Sequence, residues 1–348
     1  MIKRSIRLFP LLAVALCPAL VHAATIQWKA ASGDLGTASN WDPETALTAT
    51  GHTWVIGNAG AATVGTGSSY TINGPFEVGE AKSGSLTLNG TGALSVTGGN
   101  MSVGYTSNGG AGLVVLNDSS SLNTGSMYLG HRTAGTLTVN QNASVTASNF
   151  YVSTGSSGGN GTLNLYGTMS VSGTSATSIR LGNESQNTSV TLNLYSGSSL
   201  TTAGGLTVDG INGPYTIHLD GSGSTFSVAK DIAAAKSVAT FSFTADEGGI
   251  STVTSLQNIN ITGATLTLDM DDYTGSQSML LFSGNSITGT FGTVNWLGES
   301  RGTLVYGANS IMLTVVPEPS SVAILGGGLL VIAGAGRRLA RRRNAGAL

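Results

Sequence analysis

Side chains able to do chemistry are few in this chain, and they are scattered. Asp269, Asp271 and Asp272 lie together in the run LDMDDY, and carboxylate oxygens at that spacing suit a hard cation such as Ca²⁺. The run lacks the mid-loop glycine and the closing glutamate of an EF-hand, so it reads as a solvated acidic turn. His52, His131 and His218 show no ligand spacing. The single cysteine, Cys17, can build neither a disulfide within the chain nor a thiolate metal site. No strand–loop–helix pattern follows Gly155-Ser156-Ser157-Gly158-Gly159, which makes that stretch turn chemistry rather than a phosphate cradle. Tyr128 and Tyr151 remain as candidate glycan contacts, since their rings would either stack on sugars or pack on each other across neighbouring strands. No catalytic residue, metal site or cofactor is expected.

What would position the two tyrosines is a repeat. The hexad beginning at Gly84 (GSLTLN) recurs at Gly112 (GLVVLN), Gly135 (GTLTVN), Gly161 (GTLNLY) and Val190 (VTLNLY), with spacings of 28, 23, 26 and 29 residues. Each copy carries an apolar doublet at alternate positions: Leu86/Leu88, Val114/Leu116, Leu137/Val139, Leu163/Leu165 and Leu192/Leu194. That alternation puts one face in and one face out. Ten residues after each start comes a second apolar position, at Leu94, Leu122, Val145, Val171 and Leu200. A third doublet closes the unit: Met101/Val103, Met127/Leu129, Phe150/Val152, Ile179/Leu181 and Leu206/Val208. Three short strands in about 25 residues make one coil of a three-sided parallel β-helix, whose coils bury their doublets only by stacking. An antiparallel sandwich would use Asn73-Gly74 and Asn89-Gly90 as hairpin turns, but the regular period favours the solenoid.

The composition agrees with many short strands and tight turns: of 348 residues 51 are glycine, 9% are charged and 6% aromatic. In the predicted register the outward positions of the first strand are Ser85/Thr87, Leu113/Val115, Thr136/Thr138, Thr162/Asn164 and Thr191/Asn193. On the third strand they are Ser102, Tyr128, Tyr151, Arg180 and Thr207. Acid–base work on a glycosidic bond needs two carboxyl groups about 5 to 10 Å apart. These faces offer hydroxyls, amides and phenols instead, so the body reads as non-enzymatic. Tyr166 and Tyr195 follow equivalent strands and are expected to pack on each other.

Charge is divided between body and ends. Lys3, Arg4 and Arg7 precede an apolar run over residues 8–20, and Val21-His22-Ala23 closes it; this is the order of a secretory signal peptide, with the Sec translocon as implied partner. At the other end Pro317-Glu318-Pro319 is followed by an apolar and glycine run over 322–336, then by Arg337, Arg338, Arg341, Arg342 and Arg343. Such a run would stop in the bilayer as a transmembrane sorting helix with its arginines on the cytoplasmic side. Between the ends stand seven basic and sixteen acidic residues, a body charge of about −9 that argues against nucleic acid.

The Pro-Glu-Pro, apolar run and arginine cluster together resemble the PEP-CTERM sorting signal of Gram-negative bacteria. That resemblance implies recognition and cleavage by an exosortase at the inner membrane, then delivery to the cell surface or an exopolysaccharide matrix. Trp28 and the segment Gly36-Thr37-Ala38-Ser39-Asn40-Trp41-Asp42 resemble the opening of autotransporter-like β-helix proteins, where aromatic residues cover the first coil. Ile287 to Phe291, Leu304 to Tyr306 and Ile311 to Leu313 resemble a C-terminal β cap.

The chain is therefore expected to be all-β: a right-handed three-sided parallel β-helix with a C-terminal β cap, flanked by a signal peptide and a transmembrane sorting helix. Its divisions are 1–23 (signal peptide), 24–83 (N-terminal cap and first coils), 84–210 (repeats), 211–316 (C-terminal β region) and 317–343 (sorting signal). After about Gly210 the hexad fades, and residues 231–238 alone carry a short helical pattern. The expected role is a structural or adhesive surface protein. A glycan-binding module of the exopolysaccharide stands second, and a polysaccharide lyase or hydrolase third.

Overall fold

The computed structural model describes residues 24–105, 109–156, 158–182, 188–298 and 302–316. The chain winds as a parallel β-solenoid of about 10 turns. Its first wall is a sheet of 11 strands, from Ser32–Asp34 to Thr293–Leu297, all paired in parallel. The second and third walls share the other sheet of 21 strands. Parallel partners need a long crossover between them, and here the crossover is the rest of the coil.

The inward doublets superimpose from coil to coil. Leu86, Val114, Leu137, Leu163 and Leu192 are successive Cα partners, and so are Leu88, Leu116, Val139, Leu165 and Leu194. Every one of these side chains is fully buried. The third-wall doublets from Met101/Val103 to Leu206/Val208 pair in the same way. Coils therefore stack like on like, and each aliphatic side chain finds neighbours above and below.

Corners explain where the strands stop. In the strands Ser121–Leu129 and Ser144–Val152 the second and third walls run on as nine residues each. The bend comes where two adjacent residues, Gly125 and Ser126, are both kept out of the core, which shifts the alternation by one. After the third wall five successive coils turn through a residue with positive φ: Gly79 (76°), Gly104 (74°), Gly130 (65°), Ser153 (56°) and Gly182 (80°). At Gly104 a side chain would also strike the Ala134 and Thr133 carbonyls of the next coil. Asn73-Gly74 and Asn89-Gly90 close no hairpin, because the flanking strands pair in parallel with neighbouring coils.

Three details depart from the sequence reading. In the second wall Met169, not Val171, aligns with Val145 and Leu200; Val171 pairs with Ala147 and Thr202. The turn through Tyr166 and Gly167 is two residues shorter than its counterpart from Asn140 to Ala143, so a constant offset misaligns that strand. Residues 231–238 are not helical. Ile232–Ala233 is a strand paired with Leu206 and Thr207 on one side and Ile259 and Asn260 on the other. Ile232 is fully buried in the third-wall column, and that burial outweighs the helical preference of the neighbouring alanines. Finally, parallel pairing crosses residue 210 without a break, through Tyr215–Asp220, Ala239–Thr244 and Thr265–Asp269.

Aromatic residues sit at both ends of the aliphatic core. Trp28, Trp41 and Trp54 are fully buried and meet edge to face, with centroids 5.1 and 5.0 Å apart. Trp41 belongs to a short strand antiparallel to Thr25–Trp28. Near the other end Phe241, Phe243, Phe282 and Phe291 form a second cluster. There Met279–Ser283 pairs antiparallel with Ser310–Val315, which pairs antiparallel with Gly302–Tyr306.

Candidate functional site

The outward column of the third wall is where the chain departs from plain hydroxyls. Its successive Cα partners are Val55, Glu77, Ser102, Tyr128, Tyr151, Arg180 and Thr207. Each side chain points away from the core because its two neighbours, such as Phe76 and Val78 around Glu77, fill inward positions. The corner that follows adds Tyr105 on one coil and His131 on the next, each directly after the positive-φ glycine. Their rings stack in parallel, 5.6 Å apart and 9° from coplanar. Tyr128 meets His131 edge on at 5.1 Å, and the Arg132 guanidinium lies 5.6 Å from the Tyr105 ring centre.

Together these groups enclose a cleft of about 370 Å³, with Glu77, Asn100, Ser102, Tyr105, Tyr128 and His131 along its lining. The volume falls in the range of small-molecule sites, roughly 300–1,000 Å³. Glu77 is only 9% exposed, and among the described residues neither a hydrogen-bond donor nor a cation is paired with it. Burial, and secondarily the charge of Glu80, pushes its pKa up to about 7. Burial holds the His131 imidazole below its usual value, helped by Arg132. His131 Nδ1 is buried with no hydrogen-bond partner among the described residues. The Tyr128 phenol is pushed up by burial and then by Tyr151 and Tyr105. The cleft is thus a place of neutral or nearly neutral polar groups beside aromatic rings.

Of the two tyrosines singled out in the sequence, Tyr128 lines this cleft and Tyr151 does not. Tyr151 packs on Tyr128 at 5.1 Å, and the next residue in the column, Arg180, pairs with Asp209 at 2.5 Å. Glu77, Tyr105 and His131 were not recognised as partners of Tyr128. One signal was available for Glu77, since it lies between Phe76 and Val78 in the position that Ser102 and Tyr128 occupy on later coils.

Elsewhere the outer surface is built of ladders. Asn140 donates to Asn117 at 2.6 Å, and Asn117 donates to Asn89 at 2.8 Å. Further along the same corner Tyr166 and Tyr195 stack at 4.0 Å and 1°, as expected. His218 continues an outward column and meets Ser242 at 3.1 Å. At the acidic run the Asp271 amide donates to the Asp269 carboxylate, which is a turn contact. Among the described residues no group of three His, Cys, Asp or Glu is placed to hold a metal ion, and no helix is long and apolar enough to cross a membrane. The signal peptide expected over 1–23, the motif Pro317, Glu318 and Pro319, the segment 322–336 and the five arginines lie outside the described residues.

For that tail, comparison with known families is decisive. Residues 315–343 match the PEP-CTERM protein-sorting motif. The PEP-CTERM motif spans the Pro-Glu-Pro, the apolar run and the arginines in one block. It implies an exported protein processed at the membrane, with an exosortase as the processing partner. The solenoid body ahead of the PEP-CTERM tail has no counterpart by this route, since neither the curated proteins nor the solved structures contain a match to the chain.

Proposed function

We propose that the chain is a surface or matrix protein of a Gram-negative bacterium, whose solenoid is a stiff spacer with an adhesive outer surface. The observation that carries this reading is the unbroken parallel ladder of 11 strands on the first wall, joined to a sorting tail. At about 4.8 Å per strand such a ladder extends roughly 48 Å. Its outer positions are mostly Thr, Ser and Asn, suited to a hydrated surface rather than to acid–base chemistry. In this reading the leader sends the chain through the Sec translocon. The apolar segment and arginines hold an inner-membrane intermediate, and an exosortase cuts near Pro317-Glu318-Pro319. The body, a right-handed β-helix of autotransporter-like type, is closed by the tryptophan layer at one end and by the antiparallel hairpin at the other. No catalytic residue is assigned.

Mass spectrometry of the C-terminus, on protein from the membrane and extracellular fractions, tests the route. The expected result is an extracellular species ending near Pro317, with residues 337–343 confined to the membrane fraction. Extracellular protein still carrying Arg343 contradicts it. The third-wall cleft favours a second reading, in which the protein also holds an exopolysaccharide.

A further inference from the structure

The column that contains Glu77 is otherwise a structural surface. On the later coils the same position is held in turn by Thr207, Ala233, Asn260 and Thr288. A carboxyl, two phenols and an imidazole gathered over three consecutive coils depart from that pattern. They form a concave cleft, whereas Tyr166 and Tyr195 merely stack on each other.

Resting on the second reading above, we infer that the cleft formed by Glu77, Ser102, Tyr105, Tyr128 and His131 binds an uncharged sugar residue of a glycan. The volume of about 370 Å³ suits one or two pyranose rings. A pyranose has a face of C–H groups and a rim of hydroxyls. The C–H face matches the negative face of an aromatic ring, here that of Tyr128. Hydroxyls both donate and accept, so they suit the Glu77 carboxyl, the Ser102 hydroxyl, the Asn100 amide and His131. His131 Nδ1 is buried without a hydrogen-bond partner among the described residues, at a cost of roughly 1–3 kcal/mol, and the Glu77 carboxyl lines the cleft with no hydrogen-bond donor among the described residues paired to it. Sugar hydroxyls supply such partners.

Charge separates this occupant from the alternatives. An anionic ligand would meet the Glu77 carboxyl, within a body that is acidic overall. A cationic ligand would come near the Arg132 guanidinium, which lies against the Tyr105 ring that lines the cleft. A neutral polyol meets neither repulsion.

The test uses the purified exported protein and a panel of neutral oligomers of glucose, galactose, mannose and N-acetylglucosamine, with oligomers of galacturonate as the charged comparison. Binding is followed by titration calorimetry and by ligand-observed NMR. At least one neutral oligomer is expected to bind, with Tyr128→Ala weakening it about tenfold or more. Glu77→Gln should weaken it by a smaller factor, and Tyr195→Ala, on a different corner, should leave it unchanged. Should Tyr128→Ala fail to fold, the His131 ring resonances of the unaltered protein give the answer: a shift on adding the sugar supports the site. The inference is overturned if no neutral oligomer binds, if only galacturonate binds, or if bound sugar leaves His131 unmoved. Release of shorter products from a bound oligomer also overturns it, because the cleft would then be catalytic.

Discussion

Replacing Glu77 with glutamine should change the pH dependence of stability in a way that isolates one buried carboxyl. Below about pH 4.5 the side chain is protonated in both folded and unfolded chains, so it contributes nothing. Between there and about pH 7 the unfolded chain ionises while the folded chain keeps its proton, so the native state binds more protons and stability falls as pH rises. Above pH 7 both states are ionised and the folded protein carries the whole penalty of a buried charge. Raising the carboxyl from 4.5 to about 7, at about 1.4 kcal/mol per pH unit, corresponds to about 3 kcal/mol. Glu77→Gln keeps the shape and removes the charge. It should therefore match the parent protein at pH 4 and exceed it by about 3 kcal/mol at pH 8.5.

Urea unfolding monitored by tryptophan fluorescence is well placed to see this. Trp54 lies on the strand paired directly with Phe76–Val78, Trp41 meets it edge to face, and Trp28 meets Trp41 in the same way. Comparing the two proteins at each pH cancels every other titrating group. Parallel stability curves, or a variant weaker at pH 8.5, would refute the reasoning. So would an NMR titration placing the Glu77 carboxyl near 4.5.

Other substitutions probe the coil itself. Leu163→Ala removes a fully buried rung between Leu137 and Leu192 and should cost about 3–4 kcal/mol in urea unfolding. Gly104→Ala meets both a positive φ of 74° and the next coil's carbonyls. The backbone alone should cost about 1–2 kcal/mol, and the thermal midpoint should drop further than for an alanine placed at an open corner such as Gly67. Asn117→Ala breaks the ladder to Asn89 and Asn140, with an expected loss of about 1–2 kcal/mol and faster amide exchange at those two residues.

Much of the fold was legible because a solenoid writes its core into a local pattern. Each doublet is one strand, and repetition of the doublets fixes both the inward face and the order of stacking, without any long-range inference. Beyond Gly210 the hexad became hard to read because its closing Asn or Tyr gives way to Asp220 and Thr244 and its opening Gly or Val to Tyr215 and Ala239, although the inward doublets Ile217/Leu219 and Phe241/Phe243 persist. The Met169 register was missed because corner length is invisible to strand alternation. The same limit hid most of the cleft. Tyr105 and His131 lie in corners, where no period applies; pairing across coils stacks their two rings, and His131 then meets Tyr128 of its own coil edge on. Glu77 lies one coil ahead of the first clear hexad, and its burial follows from the walls around it rather than from its neighbours in sequence.

The stacking of coils in parallel register can be tested by cross-linking in a chain whose only natural cysteine is Cys17. Thr136 and Thr162 are Cα partners on adjacent coils and face outward. Thiols placed there by Thr136→Cys and Thr162→Cys would lie about 5 Å apart. Antiparallel pairing of the same two strands about Leu137 and Leu163 would instead bring Thr136 opposite Asn164. With a short bifunctional thiol reagent, the pair at 136 and 162 should cross-link rapidly, and a Thr136→Cys, Asn164→Cys pair, about 8 Å apart, should not. Efficient linking of 136 to 164, with none between 136 and 162, would contradict the solenoid and everything built on its walls.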